Sequence, residues 1–233
     1  MPNSRSKRYR AAAEKVDVKK SYPLAEAVSV LKSLPAPKFD QTVTISFRLG
    51  VDPKQSDQMV RGTTPLPHGS GKSVRVLVFA EGQAANAAKE AGAEFVGYKD
   101  MIEKCNGGFQ DFDVAVATPG AMAEVRKLGK VLGPRGLMPN PKTGTVTEDT
   151  AKAVKEVKAG RVEFKLDKNG NVAVPVGKFS FAPEALIDNG RTVIEAVVKA
   201  RPATAKGVFV ENVTLSATMS PGLKIDTSSF IKI

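Results

Sequence analysis

The segment QTVTISFRL (residues 41–49) alternates strictly, with Val43, Ile45, Phe47 and Leu49 on one face and Thr42, Thr44, Ser46 and Arg48 on the other. A period of two predicts a strand with one buried and one wet face. Upstream of it a single helical stripe is available: Leu24, Ala27, Val28, Leu31 and Leu34, with Ser21 as the expected cap and Pro35 and Pro37 as the stop. One strand and one helix cannot close a core. The partners of this strand must come from far along the chain, and that requirement excludes a simple series of small domains.

The middle of the chain obeys a different pattern. After DPKQSDQMVRGTTPLPHGSGK, a linker rich in proline, glycine and hydroxyl residues, come the apolar runs VRVLVF (74–79), EFVG and DVAVA (113–117). Between and after them lie helical segments: GQAANAAKEAGA, YKDMIEKC, PGAMAEVRKL (119–128) and TEDTAKAVKEVKAG, the last with Thr147 as the expected cap. Strands alternating with helices predict a parallel sheet covered on both faces, a three-layer, Rossmann-like α/β unit. Past Gly160 the alternating pattern returns. RVEFKL and NVAVPVGKF flank DKNG, a hairpin signal, a helix opens at Pro183 and stops before Pro202, and GVFVENVTLSATM forms a final strand. The expected architecture is two-domain α/β: a discontinuous α+β domain with an antiparallel sheet, residues 1–67 plus 160–233, interrupted by an inserted α/β domain, 68–159.

Composition narrows the function. The formal net charge of +11 favours a polyanionic partner, and the absence of Trp with few other aromatics argues against binding mainly by base stacking. A single cysteine, Cys105, permits no internal disulfide, and no apolar run is long enough to span a membrane, so a cytoplasmic protein with no membrane partner is expected. Catalysis is poorly supplied. The one histidine, His68, lies in the linker, no metal constellation exists, and Glu148 and Asp149 are expected in the first turn of the helix capped by Thr147, where they serve its dipole. HGSGKS (68–73) imitates a phosphate loop, but Leu66 stands where the pattern needs glycine, and the segment precedes a strand rather than opening a helix. It is expected to be a flexible linker with one cation, in a protein that is not an enzyme and uses no cofactor.

Two features point toward nucleic acid. Residues 126–142 hold five basic groups and no acidic one, while residues 81–125 carry three basic and eight acidic groups. A cationic loop on an acidic mount fits local phosphate contact, with Lys127, Lys130, Arg135 and Lys142 facing outward along an extended path and Leu128, Val131 and Leu132 anchoring it. The second feature is hydroxyl-lined strand faces: Thr42, Thr44 and Ser46 on the first strand, Thr214, Ser216 and Thr218 on the last. Hydroxyls suit ribose and phosphate in a shallow RNA groove, although threonine is common on any half-exposed strand.

The stretches KLGKVLGPRGLMPNPKTGTV, KFDQTVTISFRLGVDPKQSDQMVRGTTPLPHGSGKSVRV and SATMSPGLKID, in this order along the chain, resemble the bacterial family of large-subunit ribosomal L-one (stalk) proteins. The resemblance implies a two-domain protein, monomeric when free, that binds large-subunit ribosomal RNA at the mobile stalk. It also implies help in releasing deacylated exit-site tRNA and repression of the protein's own operon through its mRNA. A free-standing translational regulator sharing the RNA site is the alternative. Carried over position by position, the family's RNA contacts fall on Lys38, Phe39, Thr42, Ser216, Thr218, Met219 and Ser220, with the basic stretch as a secondary contact. Three positions depart from the family pattern: Thr44, where an acidic residue is common, Ala173, where histidine is usual, and Ser220, where glycine normally follows Thr-Met.

Overall fold

The computed structural model describes residues 6–17, 19–228 and 230. Its helices are α1 (Lys7–Glu14), α2 (Leu24–Ser33), α3 (Gly82–Glu90), α4 (Lys99–Asn106), α5 (Met122–Val125), α6 (Gly129–Leu132), α7 (Thr150–Lys158) and α8 (Pro183–Lys199). Its strands are β1 (Thr42–Leu49), β2 (Arg61–Pro65), β3 (Val76–Phe79), β4 (Phe95–Gly97), β5 (Val114–Ala117), β6 (Arg161–Lys165), β7 (Asn171–Lys178), β8 (Val210–Ala217) and β9 (Leu223–Lys224). The chain divides into two compact units, Met1–Gly71 with Val162–Ile233, and Lys72–Arg161. The alternating segment finds its partners from beyond the second unit: β1 is central in a four-stranded antiparallel sheet of order β7-β1-β8-β9.

Burial along β1 follows the sequence period. Val43, Ile45, Phe47 and Leu49 are fully buried, and the residues between them are half-buried or exposed. Helices α2 and α8 cover the apolar face, supplying Leu24, Val28, Leu31, Leu186, Val193, Ile194 and Val197 to one continuous core. Removing these side chains from water is the dominant favourable term for the unit. On the opposite face Ser46, Arg48, Asn171, Ala173, Asn212 and Thr214 line a shallow concavity that no helix covers among the described residues.

In the second unit, β3 lies between β4 and β5 in a parallel sheet. Leu77 and Phe79 point into one apolar cluster with Met101, Val125, Leu128 and Leu132, and Val76 and Val78 point into another with Ala88, Val154 and Val157. Both faces are therefore buried, which is why these strands are continuous apolar runs instead of alternating ones.

Local details depart from expectation. The DKNG turn forms, with the Asp167 carboxylate accepting from the backbone N–H of Asn169 and Asn171, at 2.8 and 2.7 Å. Its flanking strands do not pair with each other, because β6 joins β2 while β7 joins β1. The turn chemistry was right, and both strands send their apolar side chains into the same core, but their backbone edges pair with different strands. Helix α7 is capped by Asp149, whose carboxylate accepts from the Lys152 N–H, while Thr147 accepts from the Asp149 N–H one turn earlier. Ser21 caps nothing, since α2 starts after Pro23 and has no side-chain cap.

Candidate nucleic-acid interface

Strand pairing alone brings the two expected contact segments together. β1 and β8 run antiparallel with Val43 opposite Ala217, so Lys38, Phe39 and Thr42, just before and at the start of β1, meet Ser216, Thr218 and Met219 at the end of β8. Thr218 clasps the junction. Its backbone N–H donates to the Thr42 carbonyl at 3.1 Å, and its Oγ1 accepts from the Thr42 N–H at 3.2 Å. The hydroxyl also lies 3.3 Å from the Thr42 carbonyl, to which it can donate. The buried Gln41 side-chain amide donates to the Thr218 carbonyl. Thr218 thus positions the loop as well as presenting an exposed hydroxyl.

Two large apolar side chains stand out of this junction, Phe39 at 49% exposure and Met219 at 65%. Only two other large hydrophobics are comparably exposed among the described residues, Met59 and Val208, so a pair at one sheet end is notable. Met219 has φ of 63°, the single non-glycine residue with positive φ among those described. A left-handed conformation costs a side-chain-bearing residue about 1 kcal/mol, so the surrounding bonds must hold it there. Ser220 supplies one of them: its Oγ accepts from the Ala217 N–H at 2.8 Å and donates to the Pro221 carbonyl at 3.0 Å, closing the turn. Glycine at this position could make neither bond. The Ser220 hydroxyl is therefore part of the loop's internal scaffold, and the backbone freedom sits at Met219 instead.

Sequence reading missed the cations that frame this end. Lys178, on β7 opposite Thr42, donates from Nζ to Thr42 Oγ1 at 3.2 Å. Lys32 on α2 donates to the Phe179 and Phe181 carbonyls and lies over the Phe179 ring. Burial lowers its pKa from the usual lysine range, against the opposing pull of Asp40. Asp40, one residue past Phe39, accepts from the Ser180 backbone N–H and hydroxyl at 3.1 and 2.9 Å, tying the Lys38–Phe39 segment to the loop ahead of α8. No local sequence signal marks these ties, since every partner is more than 130 residues away. Thr44 faces Ser216 across the ladder, and Ala173 faces Ser46, so both departures from the family pattern lie on the uncovered polar face.

The basic stretch belongs to the other unit and is not extended. Residues Arg126–Leu128 form a 3-10 turn and α6 continues to Leu132, followed by turns through Gly136. The reason is the spacing of Val125, Leu128 and Leu132, an i, i+3, i+7 stripe buried against β3, which outweighs the helix cost of glycine. Lys127, Lys130 and Arg135 are exposed as expected, although Lys127 pairs with Glu124 at 2.6 Å. An exposed pair of this kind contributes little. The side chain of Lys142 lies outside the described residues.

The imitation phosphate loop is built for anchoring. Lys72 donates to the Asp113 carboxylate at 2.8 Å, and the Arg75 N–H donates to its other oxygen at 3.2 Å. Those bonds, Lys72 first, hold the Asp113 carboxyl below the usual carboxylate range. A carboxyl whose folded pKa is depressed stabilises the fold above its unfolded value, near 4, and loses that contribution as pH falls through the folded value. Asp113→Asn is expected to lower the urea midpoint at pH 7 and to leave it nearly unchanged at pH 2, giving a flatter acid limb than wild type. An unchanged limb would show that the pair contributes nothing. The linker is also less free than its composition implies, because His68 and Gly69 are bonded to the buried Asn189 of α8.

No group of His, Cys, Asp or Glu able to hold a metal occurs among the described residues, and none of their helices is long and apolar enough to cross a membrane. Residues 30–221 match the model of the family described as Ribosomal protein L1p/L10e family. The chain is also 55% identical over 225 residues to the large ribosomal subunit protein uL1 of Bifidobacterium longum subsp. infantis, covering 97% of this chain and 98% of that protein.

Proposed function

The chain belongs to the Ribosomal protein L1p/L10e family, as a ribosomal constituent that binds ribosomal RNA of the large subunit, and we propose that it does so through the junction of β1 and β8. The observation that carries this reading is the pair of exposed apolar groups, Phe39 and Met219, on a rigid end of the sheet framed by Thr42, Ser216, Thr218, Lys38 and Lys178. Apolar side chains can lie against sugars, hydroxyls bond ribose and phosphate oxygens, and lysines neutralise the backbone. Lys127, Lys130 and Arg135 offer a second, purely electrostatic contact from the inserted unit. In this reading the discontinuous unit holds the RNA, and the inserted unit offers its basic stretch as a secondary contact to stalk RNA or to passing tRNA.

The family resemblance extends the proposal to release of exit-site tRNA and to repression of the protein's own message through an RNA fold like the ribosomal one. Sedimentation tests residence directly: the protein is expected to travel with large subunits and to leave them at high salt. Absence from subunits with binding to its own mRNA intact would assign it to free-standing regulation instead.

A further inference from the structure

We infer that Arg8 is a positioning residue for the RNA-contacting end of the sheet, locking the Met219 loop and the segment leading to Lys38 into one arrangement; this rests on the reading of that end as the RNA site. Arg8 lies in the first turn of α1, whose N-terminus is capped by the Ser6 hydroxyl accepting from the Tyr9 N–H at 3.2 Å. The helix is fastened to the unit by Ala12, buried in the main core. From this base the guanidinium donates through Nη2 to the Met219 carbonyl and through Nη1 to the Pro35 carbonyl, each at 3.3 Å. One side chain therefore joins three segments that are remote in sequence, and two of them carry the proposed contacts.

The chemistry fits that task. Met219 occupies the left-handed region, where a residue with a side chain stays only if neighbouring bonds over-determine it. Thr218 and Ser220 fix the loop from inside, and Arg8 is the tie that reaches Met219 itself from outside. On the other arm, Pro35 lies three residues before Lys38, and the intervening Pro37 limits how that segment can bend. A planar guanidinium gives each carbonyl its own nitrogen at a fixed separation, whereas an ammonium would have to reach both carbonyls from one nitrogen. Ser6, Arg8, Tyr9 and Met219 line an open groove beside the loop, so the clamp lies at the edge of the contact surface without covering Met219. Helix α1 precedes the segment matched by the family model, which begins at residue 30.

The test measures binding of the full-length protein to a transcript of the large-subunit rRNA stalk across a salt series. Wild type is compared with Arg8→Ala, Arg8→Lys, Met219→Ala, Thr218→Val and the Arg8→Ala/Met219→Ala double variant. Arg8→Ala is expected to weaken binding about tenfold, and Arg8→Lys to restore little of it. The slope of log affinity against log salt is expected to stay at its wild-type value, because no phosphate contact is lost. The double variant is expected to lose less than the product of the two single losses, since Arg8 acts in part through that loop and in part through the Pro35 arm. Thermal unfolding of Arg8→Lys should match wild type, separating the effect from misfolding. A slope that falls by about one would make Arg8 a direct phosphate contact and overturn the positioning role. Multiplying effects in the double variant, or wild-type affinity of Arg8→Ala, would overturn it too. If Thr218→Val and Met219→Ala weaken binding while the Arg8 variants do not, this inference alone falls. If those two leave affinity unchanged, the site itself lies elsewhere.

Discussion

Replacing Asn189 by leucine is expected to lower the unfolding free energy of the discontinuous unit by about 3 kcal/mol, the upper end of the range for stranding buried polar groups. Asn189 is completely buried in α8, and its three side-chain hydrogen bonds all go to backbone groups. Its Nδ2 donates to the Val176 carbonyl at 2.8 Å and to the Gly69 carbonyl at 3.0 Å, and its Oδ1 accepts from the His68 N–H at 3.1 Å. One side chain therefore staples α8, the end of β7 and the linker that leads out of the unit. Leucine keeps the volume but takes the side-chain partner from two carbonyls, Val176 and Gly69, and from the His68 amide. The effect is read as a lower urea midpoint and as faster hydrogen exchange at the His68 amide. Exchange at that amide unchanged from wild type would show that the staple does not hold the linker.

Met219→Ala is expected to weaken binding to the stalk rRNA by about 1–3 kcal/mol, roughly five- to 150-fold, the range for loss of a well-buried apolar contact. The free protein exposes nearly two-thirds of this side chain, so the variant costs the isolated fold little and the effect should appear in complex formation. Met219→Gly separates two causes. Glycine relieves the left-handed backbone yet also lacks the side chain. Equal losses in the two variants would identify the thioether contact as the source, whereas recovery in the glycine variant would identify backbone strain. Thr218→Val is expected to fall in the same range, because it removes an exposed hydroxyl and also loosens the clasp on Thr42. If these variants bind normally while Lys130→Ala does not, the principal site belongs to the inserted unit.

These two predictions differ in how visible their residues were. Thr218 belongs to a hydroxyl-lined strand face and Met219 to SATMSPGLKID, a stretch that carries the family resemblance, so both are marked in the sequence. Asn189 is an unremarkable polar residue in the middle of an apolar helical stripe, and nothing in its neighbourhood in sequence foretells a buried staple. Its partners are at Val176, Gly69 and His68, brought to it only by packing.

Periodicity determined the architecture from sequence alone. The strict alternation at 41–49 demanded antiparallel partners from beyond residue 160, and the apolar runs at 74–79 and 113–117 demanded a sheet covered on both faces. Those signals survive because burial of whole faces is a sum over many residues and tolerates local exceptions. Details that hang on one or two groups did not survive. Asp149 displaced Thr147 as a cap, Val125, Leu128 and Leu132 carried helical turns across Gly129 of the basic stretch, and the strands flanking DKNG went to different sheets. In each, competing local options differ by about 1 kcal/mol, and tertiary contacts decided between them. The same holds for the interface. Its hydroxyls were legible in the strand pattern and its apolar groups only through the family resemblance, but the ties from Arg8, Lys178, Asp40 and Ser220 that hold it together are hydrogen bonds formed by the folded chain, three of the four across long sequence separations.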